Sequence, residues 1–384
     1  MATTKSSDRK LNKPPLSIDE VVLRDNIAAT KKPPADTIAL LTTRRLMLSG
    51  PKDLPKELQK ALSDMKRAEP GLSLPLPPST IIGLPGNTGE RVPHKALAAS
   101  AGTSSSGQPF KPDWAPLVYH PKIGAKPRQK YLRGLGGRRI VPTDNQSFIY
   151  GSDDRRVFYP SGYPWRCIGR VDVYPNADAD NFSSWGSGVL IGDRLVLTAG
   201  HVPPVNPAPG TWKMRFTAGM YNGSAVDGPG AVSYVSDFKG YTGGLSGVDY
   251  AVLRLYEPLG THMGYFGWKT YDDSWTGGDY WWLAGYPFDI AAENSPSYQA
   301  GIAVLDQDSD QGGLELEHHG DTASGDSGGP FWGFWDEGPY VVGTVSGHEH
   351  VSGPSWAGGE DNNIAAGGSP LSNLLAWARS NWPA

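Results

Sequence analysis

Of the 13 tryptophans in this 384-residue chain, 12 follow residue 139 and only Trp114 precedes it. Tryptophan carries more apolar surface than any other side chain, so its distribution marks where a large core can form. The charge divides at the same place: residues 1–139 hold 24 Lys and Arg against 11 Asp and Glu, and residues 140–384 hold 11 against 28. We therefore read a basic N-terminal segment, 1–139, ahead of an acidic folded body, 140–384. The basic residues are dispersed among prolines with no aromatic or zinc pattern beside them, which argues against nucleic-acid binding. A basic segment held against its own acidic body fits the division.

The first segment carries weak helix signals. Ser17 to Glu20 reads as a capping box, and Lys56 to Ala68 has apolar residues at helical spacing. From Gly71 to Gly137 the chain is rich in Pro, Gly and Ser and reads as linker or loosely wrapped polypeptide. Beyond it the pattern changes to short β-branched and aromatic runs between turn residues: Val189–Ile191, Leu195–Leu197, Tyr250–Leu255, Tyr280–Leu283 and Tyr340–Val345. Many short strands predict an all-β body. The chain ends on a helix pattern that Ser369 can cap, with Pro370 in its first turn and Leu371, Leu374, Leu375 and Ala378 as its apolar stripe.

Three local patterns carry chemistry. In Gly325-Asp326-Ser327-Gly328-Gly329-Pro330, a serine between glycines can present its hydroxyl while the amides of Gly325 and Ser327 turn toward one point, as an oxyanion hole requires. Taken alone, the string also suits a glycine-rich turn beside a strand. Thr198-Ala199-Gly200-His201 sets a histidine past the end of an apolar strand, where it can take the serine proton. Asp249 opens the apolar run Tyr250–Leu255, where its carboxylate can orient that histidine. Single histidines and strand-leading aspartates are usually structural; three such settings in the order His, Asp, Ser rarely coincide.

Together, Thr198–His201, Asp249–Leu255 and Gly325–Pro330 resemble the active-site motifs of the trypsin and chymotrypsin family, over roughly residues 140–384. The resemblance implies a double six-stranded β-barrel with the C-terminal helix. It also implies His201, Asp249 and Ser327 as the catalytic triad of a serine endopeptidase acting on polypeptides. Tyr150–Val157, Gly162–Arg166, Gly285–Pro287 and Asp321-Thr322 are similar to the bacterial glutamyl-endopeptidase branch. Two positions depart from that branch, Asp326 before the nucleophile and Val345 where the branch carries its glutamate-reading histidine.

The same resemblance implies a primary pocket floored by Asp321 and Thr322 and walled by Ser346, Gly347 and His348. Asp321 suggests Arg or Lys in the substrate, whereas Thr322 and His348 suggest Glu or Asp, and the acidic preference is carried forward. A catalytically silent binding domain is the alternative from another class. Asp326 suggests pairing with a new ammonium at Ile140, after cleavage at Arg138-Arg139, and residues 1–139 read as an inhibitory or folding pro-segment. The alternative start falls near Phe148 to Gly151. No cofactor or metal is expected. Asp306–Glu317 reads as an acidic hairpin rather than a calcium loop, and His318-His319 and His348–His350 as rim residues. Cys167, the one cysteine, reads as a buried strand residue and permits no intrachain disulfide. No apolar run reaches membrane length and Met1–Gly50 has none of signal-peptide type, so export is expected from the resemblance alone.

Overall fold

The computed structural model describes residues 12–44, 46–48, 56, 80–82, 88–93, 95–98, 106–124, 148–242, 244–245, 247–291, 294–351 and 360–382. The helix expected at 56–68 and the Arg138–Ile140 processing site lie outside these residues, Lys56 apart.

The first half of the body is six strands, β1 (Ile168–Tyr174), β2 (Ser184–Gly192), β3 (Leu195–Thr198), β4 (Lys213–Ala218), β5 (Val232–Tyr241) and β6 (Ala251–Leu255). They pair in the order β4-β1-β2-β3-β6-β5, and β5 pairs back onto β4, so the sheet closes and no ladder edge remains inside it. β3 and β6 run antiparallel with Thr198 opposite Ala251, which brings the end of one and the start of the other to one rim.

The second half contains β7 (Trp281–Gly285), β8 (Ser297–Ile302), β9 (Val304–Asp308), β10 (Leu314–His318), β11 (Pro330–Trp335), β12 (Gly338–Val351) and β13 (Glu360–Gly367). Their order is β9-β10-β13-β12-β11-β7-β8. The two ends of this path, β8 and β9, are separated by Ala303 alone, so they act as one broken strand and the expected all-β, two-barrel plan is met. β9 and β10 form the predicted acidic hairpin, turned by Gln311 and Gly312 at positive φ.

Strand alternation sorts the large aromatics of β7 and β11. Trp281 and Phe331 face the interior of the second barrel, while Trp282 and Trp332 face outward onto Trp165 and Phe334 in the larger core. The C-terminal helix, Ser369–Asn381, buries Leu371, Leu374, Leu375 and Ala378 as expected, but Gly368, not Ser369, is its N-cap residue. Gly368 has φ of 87°, which a serine would adopt only under strain, and Ser369 is the first helical residue. From this helix Arg379 donates to the carbonyls of Ile191, Phe266 and Gln108. It thereby ties β2, the segment between the barrels and the N-terminal segment together.

Several described parts of 1–139 pack onto the body, while Leu46–Leu48 and Thr80–Ile82 pair with each other. The capping box forms as read, with Ser17 and Glu20 exchanging bonds. Leu16 is buried and its amide donates to Phe334 O at 2.7 Å. Gly89–Val92 adds a parallel strand to β5, and Ser106-Gly107 pairs with Gly267–Lys269. Lys122-Ile123 pairs with Arg156–Tyr159. Lys13 and Arg24 both bind Asp336, a direct instance of the basic segment meeting the acidic body. Cys167 is buried, in the short turn Trp165–Cys167 ahead of β1 rather than in the strand, with Sγ 3.3 Å from Gly264 O.

Candidate active site

The β3–β6 register sets the first half of the site. His201 follows β3 and Asp249 precedes β6 at the same rim, and the buried Asp249 carboxylate reaches His201 twice. Oδ2 lies 2.8 Å from Nδ1 and Oδ1 accepts the His201 amide at 2.9 Å. This fixes Nδ1 as the bonded ring nitrogen and leaves Nε2 for other work. Gly200 permits the approach, since a Cβ there would stand 2.9 Å from Asp249 Oδ1. The His201 side chain keeps 26% exposure, enough to present its ring to solvent.

Ser346 donates a third bond to that carboxylate, Oγ to Oδ2 at 2.6 Å. It stands where the β12–β13 register slips between Val345 and Gly347, and bulges of this kind re-aim a side chain. Its hydroxyl therefore serves Asp249. No local sequence signal marks that role, because it depends on a bulge between strands distant in sequence.

The Gly325–Pro330 turn is held from both barrels. The Ser187 amide on β2 donates to Ser327 O at 2.7 Å, and the Gly328 amide donates to Val345 O at 2.8 Å. Ser187 Oγ donates to Gly325 O and accepts the Tyr286 amide. Gly328 has φ of 86°, and a Cβ there would fall 2.2 Å from Thr198 Oγ1. Only glycine lets the turn lie against the strand that carries His201. Ser324 O accepts the Phe288 amide at 2.8 Å; across a trans peptide this turns the Gly325 N–H the opposite way. Neither the Gly325 nor the Ser327 amide donates to another group among the described residues, so both remain available as paired donors.

The remaining candidate residues are placed as follows. Asp321 is buried, and its two oxygens accept the amides of Tyr150 and Asp154, each at 2.9 Å. Burial raises its carboxyl above the ordinary value, against the pull of those amides. The carboxylate is thus tied to the 150–154 segment. Thr322 Oγ1 is buried with no hydrogen-bond partner among the described residues. His348 bonds Asp361 through Nε2 at 2.7 Å and stacks on Phe148 at 5.3 Å. Gly347 faces Leu245, whose Cδ1 would lie 3.3 Å from a Cβ. His318 is not at a rim: it is buried, stacked on Phe331 and accepts the Gly320 amide. Asp326, for which an ammonium at Ile140 is one of two readings, lies 3.5 Å from Arg155.

Residues 176–359 match the family model described as Trypsin. A glutamyl endopeptidase of Bacillus licheniformis is 29% identical over 194 residues, 47% of this chain and 54% of that protein. An extracellular metalloprotease of Bacillus subtilis strain 168 is 25% identical over 235 residues, 57% of this chain and 70% of that protein. The chain thus spans about half the length of the first of these relatives. A solved Glu endopeptidase in complex with MPD is 20% identical, with a TM-score of 0.48 over 61% of this chain and 100% of that one. The protease Anisep from Arthrobacter nicotinovorans is 16% identical, with a TM-score of 0.43 over 59% and 99%. The chain is thus similar to the trypsin family over residues 176–359 and to a glutamyl endopeptidase over 194 residues, the same two resemblances that the motifs carry.

Proposed function

We propose that this trypsin-type chain is a serine endopeptidase that cleaves polypeptides through an acyl-enzyme, with His201, Asp249 and Ser327 as its triad. The observation that carries the reading is the Asp249 carboxylate, whose oxygens hold both the amide and the ring of His201 beside the nucleophile turn. In this reading His201 Nε2 takes the Ser327 proton as Oγ attacks the scissile carbonyl, and Asp249 stabilises the imidazolium. The amides of Gly325 and Ser327 receive the oxyanion, a contribution of about 10²- to 10³-fold per donor. His201 then returns the proton to the leaving amine, and water, activated by the same imidazole, hydrolyses the ester.

We further propose a preference for Glu or Asp before the cut. The Asp321 carboxylate already accepts two amides, whereas the buried Thr322 hydroxyl has no partner among the described residues, and Phe148, whose carbonyl accepts the Thr322 amide, stacks on His348, itself paired with Asp361 at the surface. A hydroxyl and an imidazole suit a carboxylate, and a basic side chain would find no available anion at Asp321. Digestion of a mixed peptide library, read by mass spectrometry with Ser327→Ala as control, tests both parts. Cuts after Glu or Asp that vanish with Ser327→Ala are expected. Cuts after Arg or Lys would overturn the specificity, and cutting that survives Ser327→Ala would overturn the mechanism.

A further inference from the structure

Asp326, beside the nucleophile, has a fully buried side chain whose Oδ2 accepts the Ala323 amide at 3.0 Å. Its nearest cation is Arg155, itself fully buried, with Nη1 at 3.5 Å from Oδ2. Arg155 is held by two further carboxylates. Nε and Nη2 donate to Asp153, and Nη1 and Nη2 make a forked pair with Asp289 at 3.2 and 2.7 Å. Burial opposes the charge on Arg155, but Asp326, Asp153 and Asp289 together hold it above its usual range. The guanidinium is therefore a permanent cation at the base of the turn.

Asp289 has a second consequence. It lies in the short helix Phe288–Ala291, and the Phe288 amide is the group that holds Ser324 O and so turns the Gly325 N–H outward. Arg155 thus grips the Ser324–Ser327 turn at two points: at Asp326 directly, and through Asp289 and Phe288 at the Ser324 carbonyl. A mobile turn could swing that peptide and lose the oxyanion donor; this one is fixed at both ends by one buried residue.

We propose that Arg155 is a positioning residue that assembles the oxyanion turn in the intact chain, so that no ammonium at Ile140 is needed. The inference rests on the serine-endopeptidase reading. Under it, cleavage near residue 139 leaves the catalytic turn unchanged.

The test uses the full chain with Arg138 and Arg139 both changed to Gln, so that neither basic site is cut. Ser327 labelling by a fluorophosphonate and the kcat and KM for a peptide are then measured. Labelling and turnover at the rates of the cleaved protein are expected, and labelling that appears only after cleavage near residue 139 would overturn the proposal. In the same background, Arg155→Gln is expected to lower kcat about 10²-fold, the loss of one oxyanion donor, with KM within about threefold. Arg155→Lys should restore about tenfold of that loss, since a charge returns without the fork. Arg155→Gln combined with Asp326→Asn, which replaces the buried carboxyl left without its partner, keeps the comparison possible if Arg155→Gln alone does not fold. In that pair kcat stays at least tenfold below wild type with the melting transition retained; wild-type kcat in either folded variant would overturn the proposal. If Ser327 never labels in cut or uncut wild-type protein, the endopeptidase reading itself fails instead.

Discussion

Ser346→Ala isolates one hydrogen bond and separates two roles for that residue. The buried hydroxyl donates to Asp249 Oδ2 at 2.6 Å, and His201 supplies the other two donors to the carboxylate. A hydrogen bond to a charged acceptor contributes about 1.5–3 kcal/mol. With two donors left, the lower end applies, and since about 1.4 kcal/mol is tenfold in rate, kcat should fall about 10- to 30-fold. KM should change by less than about threefold, because the lost group orients the base and does not touch substrate. Steady-state kinetics on a peptide found by the library digest measures both, with thermal melting to show that the variant folds. A folded variant with unchanged kcat and raised KM would refute the reasoning and return Ser346 to the pocket wall.

Gly328→Ala should abolish folding or activity, because its φ of 86° and the 2.2 Å approach to Thr198 Oγ1 leave no place for a methyl; an active variant with a wild-type melt would contradict this. Leu16→Ala should destabilise the whole body by about 2–4 kcal/mol as a core truncation, read as a lower denaturant midpoint in the Trp signal. Burial lowers the His318 pKa to about 3, so the folded state binds fewer protons than the unfolded one below about 6.5. Stability present above that value should fall as pH drops toward 3, and His318→Gln should flatten that slope in pH-dependent melts. Asp326 has the opposite shift, raised by burial to about 7. The folded state retains its proton while the unfolded state loses it, so stability should fall as pH rises from about 4 to 7, and Asp326→Asn should remove that contribution.

Much of the body was legible because its signals are local. The runs at 189–191, 195–197, 250–255, 280–283 and 340–345 all lie in or beside strands, and the apolar stripe of the last helix is buried as spaced. Ser369 was misplaced by one residue because serine is a good cap in general, whereas this helix begins at a left-handed glycine. The histidine and the aspartate were readable from their positions at strand ends, since a β3–β6 register makes those ends meet. Pocket assignments depended on which polar groups find each other across the fold. Asp321 meets Tyr150 and Asp154, Ser346 meets Asp249 through a bulge, and Asp326 meets Arg155 across 171 positions, none of which has a one-dimensional signature. The N-terminal segment read as linker because its strands are two to four residues long and pair only with distant partners.

Those distant pairings set an order in time. Asn12 bonds Asp272, 260 residues later, and Lys13 bonds Asp336, 323 residues later. At about 5–20 residues per second of synthesis, the N-terminal segment emerges on the order of 15–60 s before its seat exists. Its basic, proline-rich composition suits that wait, since it holds only 4 of the chain's 40 aromatic residues and carries a net positive charge that keeps it in solvent while unpaired. The part of the chain made first is thus among the last whose partners are all made, since its seats at Asp272 and Asp336 are synthesised hundreds of residues later.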